Sequence, residues 1–234
     1  MKPGFRHFNI KLNLLFCLLL LYVFSSAQEE KTVRDLNLWT EVKLEKKIVK
    51  GLYLSAGQHL RLFKDFTQVD DYITELELEY KINKNFTLGA AGRYTKNRHY
   101  DDIVENDYRY DFYLGYDGKL SPKTKLYYRF KYQKEFYGSG VFDPHLHYYE
   151  TTFRNRIKIG WELNDNHRFY SSAEIFRLSK KSREPFFDKY RIFIGDDILT
   201  GFGEFDLAAG LDHELNTKNP CTCFILKVVY KISL

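Results

Sequence analysis

The sequence predicts an all-β fold, an antiparallel up-and-down transmembrane β-barrel of about ten to twelve strands. Three observations predict it. Apolar and polar residues alternate with period two in segment after segment, aromatic residues make up 18% of the chain, and short and long connections alternate between the segments. Because side chains of a strand point alternately to its two faces, this period places apolar residues on one face and charged residues on the other.

The N-terminus has the three parts of a secretory signal peptide. Three basic residues precede the apolar run 12–24, and the small residues 25–27 lie between that run and Gln28. The run is shorter than the roughly 20 apolar residues that a membrane-spanning helix needs. We therefore expect residues 1–27 to be a cleaved signal peptide and residues 28–234 to form one barrel domain.

The composition narrows the functional classes. The formal net charge is +5, and loss of residues 1–27 removes three basic residues and leaves +2. A nearly neutral chain with no concentrated basic arm does not favour nucleic-acid binding. Charged residues make up 29% and mean hydropathy is −0.46, as in a barrel, where only every second strand residue is apolar.

Eleven segments show the alternation. Tyr110 and Phe112 share one face of the segment 108–117, and Arg109 and Asp111 share the other. The segments are 36–45, 52–63, 72–81, 86–95, 108–117, 125–135, 149–162, 168–177, 188–198, 204–215 and 223–234. Most match the length of about 9–11 residues that a spanning strand needs. Because bacterial single-chain barrels have an even number of strands, we expect either that the segment 36–45 lies off the wall or that one further strand exists.

The connections between these segments alternate in length. Short turns are expected at 82–85, 163–166 and 199–203, and longer polar loops near 64–70, 97–106, 136–146, 178–187 and 216–222. Short periplasmic turns and long external loops are typical of outer-membrane barrels. The alternation alone would also fit a half-buried sheet in a soluble sandwich. Charges at depth on one face, with Tyr and Phe near the strand ends of the other, favour the membrane barrel.

Short motifs along the chain resemble a known family. They are Trp39, Arg61, Gly92-Arg93-Tyr94, the stretch 128–133, Arg154-Asn155-Arg156, Glu174-Ile175-Phe176, Arg191 with Gly195, and the terminal stretch 229–234. The set resembles the domain of unknown function 2490 family, regarded as outer-membrane barrels common in Bacteroidetes. The resemblance implies a fold and a Gram-negative outer-membrane location, and it implies no established activity or catalytic residues.

We accordingly expect the mature chain in the cell outer membrane. Its partners there would be outer-membrane lipid and, during biogenesis, the barrel-insertion machinery. No cofactor and no nucleic acid are expected, and an enzymatic role is less favoured than a non-enzymatic one. A surface-exposed hydrolase stays an alternative, although no serine stands beside a histidine in the pattern that such an enzyme needs.

Charged residues on the polar faces define a predicted lumen charge network. Its members are Arg61, Glu75, Glu77, Arg93, Arg109, Asp111, Arg129, Lys131, Arg154, Arg156, Glu174 and Arg191. Inward cations and anions are similar in number, and a barrel of this size can have its interior filled by side chains. We interpret the lumen as charge-paired and largely filled, with a structural or binding role. The alternative is a narrow diffusion channel for small anionic solutes.

Hairpin geometry suggests which charges pair. Around the turn at 163–166, Arg156 is expected opposite Glu174. Around the turn at 118–123, pairing Asp117 with Lys125 would place Asp111 opposite Lys131. Opposite charges that face each other across strands contribute about 0.2–1 kcal/mol each.

Histidines and cysteines provide weaker candidates. His145 and His147 are two residues apart and are weak candidates for metal ligands. No metal site is predicted from them. Cys221 and Cys223 lie in an expected external loop. They either close a small strained disulfide or remain free thiols.

Overall fold

The computed structural model describes residues 33–98, 104–137, 149–180 and 183–234, all in strands or short connections. Within these ranges no helix is long and apolar enough to cross a membrane, a finding that does not bear on spanning strands. The strands are β1 (Val33–Val49), β2 (Leu52–Phe63), β3 (Gln68–Lys81), β4 (Phe86–Arg98), β5 (Val104–Lys119), β6 (Thr124–Phe136), β7 (Tyr149–Glu162), β8 (His167–Lys180), β9 (Arg183–Thr200), β10 (Gly203–Glu214) and β11 (Cys221–Ser233).

The strands close into one barrel, so the predicted fold class is confirmed. Each strand pairs with its neighbours in chain order, and β1 pairs with β11. The expectation of an even strand number was wrong, because the segment 36–45 lies in the wall as part of β1. With eleven strands the first and last run in the same direction, and the barrel closes through a parallel ladder from Val33↔Cys221 to Glu45↔Ser233.

Five short connections lie at one end of the barrel. They are 50–51, 82–85, 120–123, 163–166 and 201–202. Gly51 in the first has φ +84, and a Cβ there would lie 3.0 Å from the carbonyl oxygen of Lys81, so this turn requires glycine. At the opposite end, the carboxylate of Asp35 accepts hydrogen bonds from the backbone N–H groups of Lys64 (3.1 Å) and Asp65 (3.3 Å). The described connections alternate between the two ends. The longer loops predicted near 64–70 and 178–187 were wrong in length, because β3 begins at Gln68, β8 ends at Lys180 and β9 begins at Arg183.

The two faces of the wall differ sharply in β5. Phe112 and Leu114 are 55% and 41% exposed on the outside, whereas Asp111 and Tyr113 between them are 1% and 6% exposed on the inside. Large apolar side chains are exposed on the outside of other strands too, up to 66% for Ile194. The outside of the barrel is therefore apolar and the inside carries the charges.

Aromatic side chains on the inner face pack against glycines of the neighbouring strand. The facing pairs are Tyr113 with Gly89, Tyr170 with Gly195, and Phe193 with Gly210. A Cβ on Gly89 would lie only 2.0 Å from Cζ of Tyr113. The missing side chain thus leaves the space into which the ring fits, and an inward aromatic residue can lie flat along the wall.

Candidate functional site

The barrel interior contains a cavity of about 670 Å³. Fourteen lysine and arginine residues and nine aspartate and glutamate residues line it. Ten residues of the predicted charge network are among them, and the other two, Asp111 and Glu174, are buried beside it with 1% and 7% exposure. The structure therefore brings the twelve predicted residues to one interior.

The acidic wall, which consists of Glu75, Glu77 and Glu79 on β3, faces this interior. Arg93 lies directly opposite Glu75 in the ladder and binds it with Nη2 at 2.6 Å from Oε2. A second guanidinium, that of Arg109 on β5, lies 3.7 Å from the same oxygen. The first acid of this wall is therefore neutralised by cations on both of the next two strands.

Partners of the other acids also come from two strands away. Glu77 forms an ion pair with Lys43 of β1 and accepts a hydrogen bond from the hydroxyl of Tyr113 of β5 at 2.7 Å. The same hydroxyl lies 3.0 Å from Oε2 of Glu79. Tyr113 reaches β3 because Gly89 of the intervening strand has no side chain.

The basic wall consists of Arg129 and Lys131 on β6 and Arg154, Arg156 and Lys158 on β7. The ladder places Lys131 opposite Arg154, Arg129 opposite Arg156, and Tyr127 opposite Lys158. Five cations thus occupy three consecutive inward rows of two adjacent strands. Like charges directly opposite each other destabilise a sheet, so each cation requires an anion from elsewhere.

The first and third rows of the basic wall obtain that anion from strands on either side of the wall. Nζ of Lys131 lies 3.1 Å from Asp111, and Nη2 of Arg154 lies 2.7 Å from Glu174. Nζ of Lys158 lies 2.8 Å from Asp197 of β9. The three pairs are largely buried, and they are the contacts expected of a charge-paired interior.

The middle row has no such partner. Neither Arg129 nor Arg156 forms an ion pair with a carboxylate of the described residues, although both line the cavity. Nε of Arg129 is buried and has no hydrogen-bond partner in the described part of the chain. The guanidinium carbon lies 5.7 Å from the ring centroid of Tyr113. Two cations therefore face each other across the β6–β7 ladder without a carboxylate partner among the described residues.

Arg156 and Glu174 do not form the ion pair that was predicted for them. The register is as predicted, with the two residues directly opposite each other. Both carboxylate oxygens of Glu174 are instead bound by Arg154, at 3.0 Å from Nε and 2.7 Å from Nη2. The planar fork of a guanidinium favours such two-point binding of a carboxylate, and it leaves neither oxygen for Arg156.

The predicted register of the β5–β6 hairpin was wrong by two residues. The turn occupies 120–123, so Lys125 lies opposite Lys119 and Asp111 lies opposite Gln133. The ion pair between Asp111 and Lys131 nevertheless forms, because the lysine reaches its partner diagonally. Gln133 donates a further hydrogen bond to Asp111 at 3.0 Å.

Trp39 is an interior residue that the sequence did not reveal as such. Its indole lies between the guanidiniums of Arg61 and Arg191, with carbon-to-centroid distances of 4.5 and 4.6 Å. Each arginine also binds an acid, Arg61 with Asp71 at 3.2 Å and Arg191 with Asp212 at 2.5 Å. The signal was the position of Trp39, which is two residues before Glu41 and therefore on the charged face.

Tyr137, just beyond the end of β6, lies between two acids. Its hydroxyl donates to Glu150 at 3.1 Å and lies 3.4 Å from Glu135. Burial raises the pKa of this phenol, and the negative charges of Glu135 and Glu150 raise it further. The phenol stays protonated at neutral pH and acts as a donor to these carboxylates.

His59, on the polar face of β2, is a histidine of the interior. Nδ1 of His59 lies 3.4 Å from a carboxylate oxygen of Glu41, and its Nε2 is buried without a hydrogen-bond partner among the described residues. In a serine hydrolase the histidine base binds the hydroxyl of the nucleophile. Among the described residues no hydroxyl binds Nε2 of His59. Within the described ranges no group of three or more His, Cys, Asp or Glu residues is arranged to hold a metal ion. His145 and His147 lie outside these ranges.

The cysteines begin the last strand instead of lying in a loop. Cys221 is the first residue of β11, and the ladder extends two residues further than predicted. Both cysteines are free thiols whose Sγ atoms lie 2.9 Å apart. Of the two alternatives left open by the sequence, the structure has the thiols.

A family model for a protein of unknown function, DUF2490, matches residues 36–200, more than half of the chain. The chain belongs to this family. The match begins within β1 and ends with the last residue of β9, and it confirms the resemblance found in the sequence. Comparison with curated proteins and with solved structures found no match. The family assigns no activity, so function has to be inferred from the barrel itself.

Proposed function

We propose that the chain is an outer-membrane β-barrel, exported through a signal peptide at residues 1–27. The observation that supports this most is the exposed apolar outside of a closed barrel. Phe112, Trp161 and Ile194, on three different strands, are 55–66% exposed. Soluble monomers rarely expose apolar patches larger than a few hundred Å², whereas a lipid-facing belt of such residues is what a membrane barrel requires.

The backbone supports the same proposal. Every strand is paired on both sides, since β1 closes on β11. A structure in hydrocarbon needs this closure because an unpaired backbone N–H or C=O group cannot bind water there. In the orientation usual for such barrels, the connections 50–51, 82–85, 120–123, 163–166 and 201–202 face the periplasm. Outer-membrane lipid and the insertion machinery are then the partners, and a Bacteroidetes-like origin stays a prediction from the family resemblance.

Cell fractionation tests the location. We expect the mature protein to begin at Gln28, to sediment with outer membranes and to resist carbonate extraction. Its electrophoretic mobility should change on heating, because a folded barrel and its unfolded chain migrate differently. Recovery as a soluble periplasmic monomer would contradict the proposal.

For the interior we propose a charge-paired, largely filled lumen with a structural or binding role. Ion pairs from different strands cross-link the wall at several levels, among them Arg93–Glu75, Lys131–Asp111 and Arg154–Glu174. The inward aromatic residues that pack against facing glycines occupy further space. In planar bilayers we therefore expect the wild-type barrel to conduct little.

One observation favours a second function, a narrow channel for small anions. Lysine and arginine residues exceed aspartate and glutamate residues among those that line the cavity, fourteen to nine. A steady conductance with selectivity for anions over cations would replace the filled lumen by this channel. Conductance in bilayers therefore distinguishes the two.

A further inference from the structure

We propose that the middle row of the basic wall, Arg129 and Arg156, binds a doubly charged oxyanion of the phosphate or sulfate kind. The anion is either free or the ester group of a small solute. This inference gives a ligand class to the binding role proposed above and rests on that proposal. It comes from the two cations that have no carboxylate partner in the part of the chain that the structure describes.

The first argument is the charge balance of the basic wall. Asp111, Glu174 and Asp197 neutralise the cations of the first and third rows from strands on either side. Glu174 faces Arg156, yet Arg154 binds both of its oxygens. Two positive charges therefore remain at one level of the ladder, and a dianion is the ligand that balances them.

The second argument is the small size of the residues beside Arg129. The residue opposite it on β5 is Gly115, and the residue opposite Gly115 on β4 is Thr87. A Cβ built on Gly115 would come no nearer than 3.5 Å to any atom, the closest being Cβ of Thr87. No charged side chain occupies these two positions, so the wall beside Arg129 consists of small residues that supply no carboxylate.

The third argument is the geometry of the donors. Arg129 and Arg156 both border the cavity of about 670 Å³, and Arg156 also borders a second cavity of about 170 Å³. Guanidinium groups present parallel N–H donors that match the oxygens of phosphate and carboxylate groups. Nε of Arg129 is a buried donor without a partner in the described chain. The first cavity lies within the usual range of small-molecule sites, about 300–1,000 Å³, so an esterified solute also fits.

Calorimetric titration of the detergent-solubilised mature barrel tests the site. Inorganic phosphate is added at constant ionic strength against a chloride reference, followed by sulfate and glycerol 3-phosphate in separate titrations. We expect saturable binding of one phosphate or sulfate per chain. Tighter binding of glycerol 3-phosphate would assign an ester, and tighter binding of inorganic phosphate would assign the free anion. Heat identical to that of the chloride reference would overturn the proposal.

Three variants locate the site. Arg129→Gln and Arg156→Gln should each weaken binding about tenfold or more, because each removes a charged hydrogen-bond donor. Gly115→Val should weaken it without a change of charge, because the added methyl groups make the wall opposite Arg129 bulkier. Lys231→Gln is the matched control, since Lys231 lines the same cavity, forms an ion pair with Glu45 at 2.8 Å and lies outside the basic wall.

The outcomes distinguish a failure of the oxyanion site from a failure of the proposed outer-membrane location. Each preparation is first checked for heat-dependent mobility, so a variant that does not fold is recognised before titration. If the wild type sediments with outer membranes but binds no oxyanion, the site fails and the location stands. If Lys231→Gln weakens binding as much as Arg156→Gln does, the effect is the general charge of the lumen and the assigned site is wrong.

Discussion

The acidic wall and the basic wall both carry their charges at the inward positions of a strand. They differ in the residues that lie opposite those charges on the adjacent strands. Glu77 has Ser55 and Ala91 opposite it on the two neighbouring strands. These side chains are small, so Lys43 and Tyr113 reach it from two strands away. The acidic wall lies on one strand, and cations from both sides have access to it.

The basic wall lies on two adjacent strands, and this difference changes its charge balance. Each cation has another cation or an aromatic residue on one side, so an acid can come only from the strands on its other side. For Arg129 that other side holds Gly115 and, beyond it, Thr87. A small neighbour admits a counter-charge only where the next strand carries one. Small neighbours therefore admit a side chain at the acidic wall, whereas at the basic wall they admit no counter-charge.

The largest effect should follow the loss of Glu174. Glu174→Ala leaves Arg154 as a third unneutralised cation of the basic wall, and breaking a buried pair in this way costs about 3–5 kcal/mol. The loss is measured as the free energy of unfolding in urea, from detergent or lipid. Adding Arg154→Ala should restore part of it, and adding Arg156→Ala should restore less. Equal rescue by both would mean that the bonded partner is wrongly assigned.

A charge on the outer face should have a smaller effect that does not depend on the wall behind it. Phe130→Arg lies outside the basic wall and Leu78→Arg outside the acidic wall, and each should cost about 2–4 kcal/mol of unfolding free energy at mid-membrane. Thr152→Arg, which points into the cavity near Glu135 and Glu150, is the inward control and should be milder. Equal losses of unfolding free energy for all three variants would contradict the assignment of faces.

Strand periodicity predicted much of this fold because a barrel repeats one rule along the chain. Tyr110, Asp111 and Phe112 reveal their faces by parity alone, and the register of the β7–β8 hairpin followed from its four-residue turn. The parallel register that closes the barrel could not be predicted, because the pairing of Val33 with Cys221 is a contact between distant ends of the chain. Nor could the partner of Glu174, since the choice between Arg154 and Arg156 depends on side-chain reach across the ladder.

The space that Gly89 leaves for the ring of Tyr113 can be filled by a substitution. In Gly89→Ala the new Cβ would lie 2.0 Å from Cζ of Tyr113, so the ring has to leave its hydrogen bonds to Glu77 and Glu79. Overpacking of this kind costs about 1–3 kcal/mol. Gly92→Ala is the control, since a Cβ there meets no atom within 4 Å. Equal midpoints of urea unfolding for the two variants would show that the acidic wall does not depend on this gap.

The smallest expected change in unfolding free energy distinguishes the two walls by its sign. Arg156→Gln and Glu75→Gln each remove one charge from the lumen. Glu75→Gln should lower the unfolding free energy, because it takes an anion from Arg93 and Arg109. Arg156→Gln should raise it slightly, by about 0.2–1 kcal/mol, because it relieves the repulsion across the ladder from Arg129.

Chloride and phosphate make that last prediction sharper. Added chloride screens the repulsion between Arg129 and Arg156, so the advantage of Arg156→Gln should shrink as chloride rises. Phosphate bound to the wild type would stabilise it through mass action and should reverse the order of the two proteins. Unfolding is followed in urea with the fluorescence of Trp39 and Trp161. A loss of stability in Arg156→Gln without added phosphate would mean that this arginine already has an anion in the folded barrel, and the basic wall would then be as fully neutralised as the acidic one.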